Sequence, residues 1–230
     1  MSMNFRLPSA LLAAGALAFT AAACGDDEET TTSTPGAAAK SDSGDKPKPA
    51  AQIDSLSGRT TKVTLDEGFV EALTSLKVTP GPVGDATISK AGVATFPITG
   101  GNVTYYSPDS GVMPYVQGLI NHDNAGLSLE AGGKKVELEN FDVDPGKSVL
   151  TGDVSVDGEE AVADAPLFFL DGRTLQPLRT NADGSKAVLE GTTVKLKQEA
   201  ADLLNMTFGI DALKEGLVIG TAKITVDTGA

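Results

Sequence analysis

The chain has no tryptophan, one cysteine and one histidine, and only 18 basic residues against 31 acidic ones in a length of 230. Each shortage excludes something. A single cysteine permits no internal disulfide and no dithiol redox pair, and with a single histidine it cannot assemble a cysteine/histidine zinc centre. A formal charge of −13 sets the chain against phosphate backbones, so no nucleic-acid partner is expected. Neither Gly-x-Ser-x-Gly nor His-Glu-x-x-His occurs, which leaves a binding or interaction protein rather than an enzyme as the expectation. Asp142, Asp144, Asp153 and Asp157 lack the spacing and glutamate of an EF-hand loop, and Pro145-Gly146-Lys147-Ser148 lacks the earlier glycine of a phosphate-binding loop. No metal site and no catalytic residue is assigned.

The N-terminus is the most specific stretch present. Arg6 provides a cationic start, Leu7 to Ala23 is uncharged and apolar, and Ala21-Ala22-Ala23 precedes Cys24. This reads as a signal peptide over 1–23. Small residues before a lone cysteine resemble the lipobox of bacterial lipoproteins, which implies that Cys24 is acylated and becomes the mature N-terminus. The protein is then expected outside the cytoplasm, anchored to the membrane by lipid. Residues 24–58 hold the acylated cysteine and a Thr/Ser/Asp/Pro-rich tether with Ile53 and Leu56 as its only large aliphatics, too few to offset ordering entropy. The folded body is placed at 59–230.

Within the body, short apolar runs alternate with turn residues. Val93–Ile98, Val116–Asn121, Leu127–Glu130, Lys134–Phe141, Val149–Val156, Leu167–Leu170, Ala187–Leu189 and Leu217–Val226 read as strands. Ala131-Gly132-Gly133, Asp157-Gly158 and Asp183-Gly184 supply tight turns between them. Thr64-x-x-Glu67 has the form of a capping box before Phe69, Leu73 and Leu76, and Lys197–Leu204 is a run of helix formers. The fold expected is mainly β: an antiparallel β-sandwich or partly closed barrel with two short helices. Thr61–Leu65 matches Thr193–Leu196, and Val83–Ile88 matches Ile219–Ile224, two strand–helix–strand copies that would bring the ends of the body together.

The candidate ligand-binding residues cluster. His122 follows within seventeen residues of Tyr105, Tyr106 and Tyr115, all the tyrosines the chain has. Phenolate and imidazole are both haem-iron ligands. Gly118-x-Ile120-x-His122-x-x-x-Gly126-Leu127-x-Leu129, with Val136-x-Leu138-x-Asn140-Phe141-x-Val143-Asp144 after it, resembles the central motif of the HtaA-type domains of actinobacterial surface proteins. That resemblance implies a β-rich domain that binds haem through a tyrosine neighboured by a histidine. The family's tyrosine comes from an early helical segment with a tryptophan before it, where this chain has Phe69, Leu73 and Leu76. The ligand would therefore come from Tyr105, Tyr106 or Tyr115.

The leading reading is a ligand-binding or interaction module, with haem as the cofactor the resemblance names. A second is carriage of a lipid or glycolipid in an apolar cavity walled by Leu167–Leu170 and by helix faces at Phe69 and Leu203-Leu204. A third is a structural envelope protein with a protein partner and no small ligand.

Overall fold

The alternation of apolar and polar residues dictates strands with one buried face, and the described residues, 47–229 of a computed structural model, carry it through. The expected signal peptide, Cys24 and the first part of the expected tether lie outside them. Fourteen strands form: β1 Ala51–Ile53, β2 Thr60–Leu65, β3 Thr79–Gly84, β4 Thr87–Ile88, β5 Val93–Pro97, β6 Gly100–Tyr105, β7 Val116–His122, β8 Ala125–Ala131, β9 Lys134–Asp144, β10 Val149–Val156, β11 Glu159–Asp171, β12 Arg179–Thr180, β13 Lys186–Leu196 and β14 Val218–Asp227. They join in one antiparallel sheet, ordered β1-β6-β7-β9-β10-β11-β13-β14-β2-β5-β4, with β8 on β9, β3 on β8 and β12 on β13. The sheet curls into a half-barrel. It is mainly β with two helices, as the alternation predicts.

The body begins earlier than composition places it. β1 pairs with β6 through Ala51↔Tyr105 and Ile53↔Val103, and Leu56 is 3% exposed within the core. Ile53 and Leu56, the tether's only large aliphatics, are the residues that find partners.

The ends of the body do meet: β14 pairs antiparallel with β2 from Gly220↔Leu65 to Thr225↔Thr60. The two strand–helix–strand copies are not equivalent in pairing. β14 returns beside β13, whereas β3 leaves β2 and pairs with β8.

Helix α1, Glu67–Ser75, is capped by Asp66, whose Oδ1 accepts from the N–H groups of Gly68 (2.9 Å) and Phe69 (3.3 Å). The capping box predicted at Thr64 is not the cap, because Thr64 is still in β2, paired with Thr221. Phe69 and Leu73 are buried, each contributing about 1.5–3 kcal/mol by removal from water. Helix α2, Gln198–Phe208, buries Ala200, Ala201 and Leu204 and ends at Gly209 in the left-handed conformation. It packs against β11 and β9, and α1 against β14 and β3.

Candidate functional site

Because the sheet curls, the inward residues of opposing strands face one another across a space. Period 2 sets which these are: Thr61, Val63 and Leu65 from β2, Ile120 and His122 from β7, Phe141 and Val143 from β9. Beside β2, Ala222, Ile224 and Val226 of β14 continue the same lining. Between them lies an apolar cavity of about 590 Å³, within the range of small-molecule sites.

The floor is apolar and aromatic. Phe96, Phe141 and Phe168 stack edge to face at 5.4 and 6.4 Å, and Phe96 meets the His122 ring at 6.3 Å. His122 is 1% exposed. Its Nδ1 lies 3.0 Å from the Phe141 carbonyl oxygen, which can only accept, so Nδ1 carries the proton. Nε2 then accepts from the Thr61 hydroxyl at 2.7 Å. Burial pushes the imidazole below its ordinary value, opposed by the Phe141 carbonyl and by the charges of Asp142 and Asp123. His122 is a neutral ring with both nitrogens engaged.

The rim is where the cavity meets water. One flank carries Tyr105, at the end of β6, and Tyr115, just before β7, with ring centres 5.9 Å apart and planes at 90°. Beside them Met113, also on the rim, is 76% exposed. Desolvation raises the Tyr115 phenol, and Tyr105 adds to the shift, so Tyr115 stays protonated at neutral pH. The opposite flank is Asp171-Gly172-Arg173, immediately after the apolar end of β11. Between the flanks sits the β9–β10 turn, held to β11 by the bond from Leu170 N–H to the Ser148 carbonyl (2.9 Å).

Three of the four predicted binding residues, Tyr105, Tyr115 and His122, line this one cavity, and Tyr106 does not. They do not form one ligand set. Tyr115 and His122 are separated by the length of β7, about 20 Å at 3.3 Å per residue, whereas two ligands of one metal ion stand about 4 Å apart. With its nitrogens engaged, His122 does not fit an axial iron position; only the rim phenols remain open to a ligand. Among the described residues no group of three His, Cys, Asp or Glu side chains could hold a metal ion. Phe69 and Leu73, at the positions of the family's tyrosine segment, are core residues.

The second reading's walls are corrected in part. Phe168, Phe169 and Leu170 border the cavity, but Leu167 is buried outside its lining, and so are Phe69 and Leu204. Leu203 also lies away from it, partly buried against the core. The Asp171-Gly172-Arg173 flank was not singled out as a binding element from sequence; an acid and a base directly after the apolar run Leu167–Leu170 are the signal that could have marked it.

No protein-family model matches the chain, and a search of curated proteins finds no match. Solved structures do resemble it. The heme-binding protein HtaB from Corynebacterium glutamicum is 10% identical, with 77% of this chain and 94% of that one covered, at a TM-score of 0.42. The C-terminal domain of HtaA from the same organism is 14% identical, with 75% of this chain and 98% of that one covered, at a TM-score of 0.52. The described body thus has an HtaA-like β-rich fold, as the Gly118–Asp144 pattern implies.

Proposed function

We propose that the chain is a lipid-anchored extracytoplasmic module that holds an apolar small molecule in its half-barrel. The observation that carries this reading is the cavity itself: some 590 Å³, walled by aliphatic and aromatic side chains and reaching the surface at a rim with phenol and charged groups. A monomeric fold with no ligand gains more by closing such a space, since each unfilled volume forfeits contacts its lining would make. Lipid carriage suits the apolar floor best. Acylation of Cys24 would hold the body near the membrane through buried methylenes, each contributing about 0.8 kcal/mol.

The reading is of binding and not of catalysis. Thr61 and His122 stand as a hydroxyl beside a base, but β2 is paired on both sides, Thr61 with Ile224 and with Phe96. Its backbone N–H groups are engaged in the ladder, and an oxyanion formed at Thr61 would find no donors there.

Haem is retained as a second reading because Tyr105 and Tyr115 put phenol oxygens at the mouth of an apolar cavity, where a phenolate can ligate iron. One experiment separates the two. The purified full chain is extracted with organic solvent and the extract read by mass spectrometry, and the delipidated protein is titrated with haemin. Stoichiometric co-purifying lipid supports carriage. A saturable Soret band lost in Tyr105→Phe or Tyr115→Phe supports haem, and absence of both, with no fatty-acid binding, overturns the proposal.

A further inference from the structure

The rim is charged on one side only. Asp171 accepts from Arg173 Nε (2.9 and 3.1 Å), from Arg173 Nη2 (2.5 Å) and from Lys195 Nζ (2.8 Å), so one carboxylate faces two cations. The surplus is positive, in a chain whose net charge is −13. Arg173 uses Nε and one Nη on Asp171, which leaves the N–H groups of Nη1 unengaged among the described residues. Its side chain is 81% exposed. In the neighbouring β9–β10 turn Lys147 is 78% exposed, with one of its three donors on Asp144 at 2.8 Å. The Ser148–Leu170 bond fixes this turn beside the Arg173 flank. Tyr105 and Tyr115 stand opposite, and neither hydroxyl has a protein hydrogen-bond partner among the described residues.

Donors with spare hydrogens therefore stand at the mouth, on Arg173 and the rim phenols, and beside it, on Lys147, and the space below them is apolar. Arg presents a planar fork that suits carboxylate or phosphate, and each charge-assisted bond is about twice as strong as a neutral one. We infer that the ligand is an extended amphiphile with an anionic headgroup, its chain lying in the half-barrel and its head at the rim against Arg173, Lys147 and the rim phenols. The inference rests on the proposed reading of the cavity as a binding site and adds the chemistry of the head. An uncharged lipid would fill the same space but leave the rim cations with water alone. A cationic amphiphile would face the surplus charge.

The test is displacement of a neutral, environment-sensitive dye from the full chain by dodecanoate, dodecanol and dodecylamine, which share a chain and differ in the head. Dodecanoate should displace about tenfold more strongly than dodecanol, the difference one good charge-assisted bond supplies, and dodecylamine least. The preference should shrink as salt rises. An Arg173→Gln/Lys147→Gln variant should bring dodecanoate down to the dodecanol value while dodecanol itself is unmoved, and Arg173→Lys should restore part of the gap. A fall in dodecanol affinity as well would mean that the variant damages the cavity, and Lys147→Gln alone, which leaves the hydrogen bonds of Asp171 in place, then decides: it must lower dodecanoate only. Equal displacement by dodecanoate and dodecanol overturns the headgroup inference and leaves the cavity reading standing. Failure of every amphiphile to displace the dye overturns both.

Discussion

At the scale of single residues, His122 shows why a rare residue type need not be a ligand. Its two hydrogen bonds tie β7 to the Phe141 carbonyl and to the Thr61 hydroxyl on β2, sixty-one residues away. His122→Ala removes both and leaves the buried Thr61 hydroxyl short of a partner. The cost should be about 3 kcal/mol, read as a drop in denaturation midpoint at unchanged slope. The pH dependence has a defined sign. Folding lowers this group's proton affinity below the ordinary value of 6.5, so the stability it confers is complete above that pH and is lost as pH falls through the folded value. Melting temperature should therefore decline on acidification from pH 7 towards 5, and His122→Ala should flatten that decline. Asp171 acts in a separate window, because Arg173 and Lys195 hold its carboxyl well below the usual range and its contribution is kept until the pH drops under about 4. A decline that begins only below pH 4 in the unmodified chain would remove His122 from the account.

At the scale of elements, the motif that carries the family resemblance turns out to be about chain geometry. Gly126 in β8 lies so close to β9 that a β-carbon there would land on the Leu138 carbonyl oxygen. Gly118 in β7 has φ +126°, a conformation side chains disfavour, with the Asn102 carbonyl oxygen where a β-carbon would sit. Between them Ile120 and His122 point inward. Gly126→Ala should force β8 from β9 and destabilise the fold by more than 2 kcal/mol, whereas Gly132→Ala, in the β8–β9 turn, meets no atom and is strained only by its positive φ. Comparing the two denaturation midpoints checks this. Strands with clean alternation were legible from sequence: β10 runs over Val149–Val156 as predicted. β3 was legible only in part: the sequence places a strand at Val83–Ile88, whereas β3 runs over Thr79–Gly84 and β4 over Thr87–Ile88, and the β3 prolines are accommodated because β3 pairs on one side only, with β8. β1 was masked by the composition around it. A chain starting at residue 59 should lose the β1–β6 pairing and the buried Leu56, melting measurably below the full chain, and it also lacks the Ala51–Ile53 part of the cavity wall.

At the scale of the whole molecule, the cavity is the feature that sequence could least disclose. Alternation states which side chains face inward, but the same pattern serves a sandwich whose faces interlock and a half-barrel whose faces stand apart. The difference lies in the curl of the sheet, which register shifts such as those at Glu190/Thr192 and Thr151/Asp153 accentuate, and in the small inward residues Ala94, Ala187 and Ala222. Small residues on neighbouring strands leave room. If that room serves a ligand, a bulkier side chain should fit without loss of stability and at the expense of binding. Leu150, on β10 opposite Phe168, is the place to try it. Leu150→Trp introduces the chain's sole tryptophan, so its fluorescence reports from inside the half-barrel with no background. The variant should keep its midpoint within about 1 kcal/mol of the parent, since overpacking penalties arise only where a core is already full. Its emission should be that of a buried indole, and dodecanoate should bind at least about tenfold more weakly. A loss of 2–3 kcal/mol with amphiphile affinity intact would instead describe a packed core, and a ligand held elsewhere.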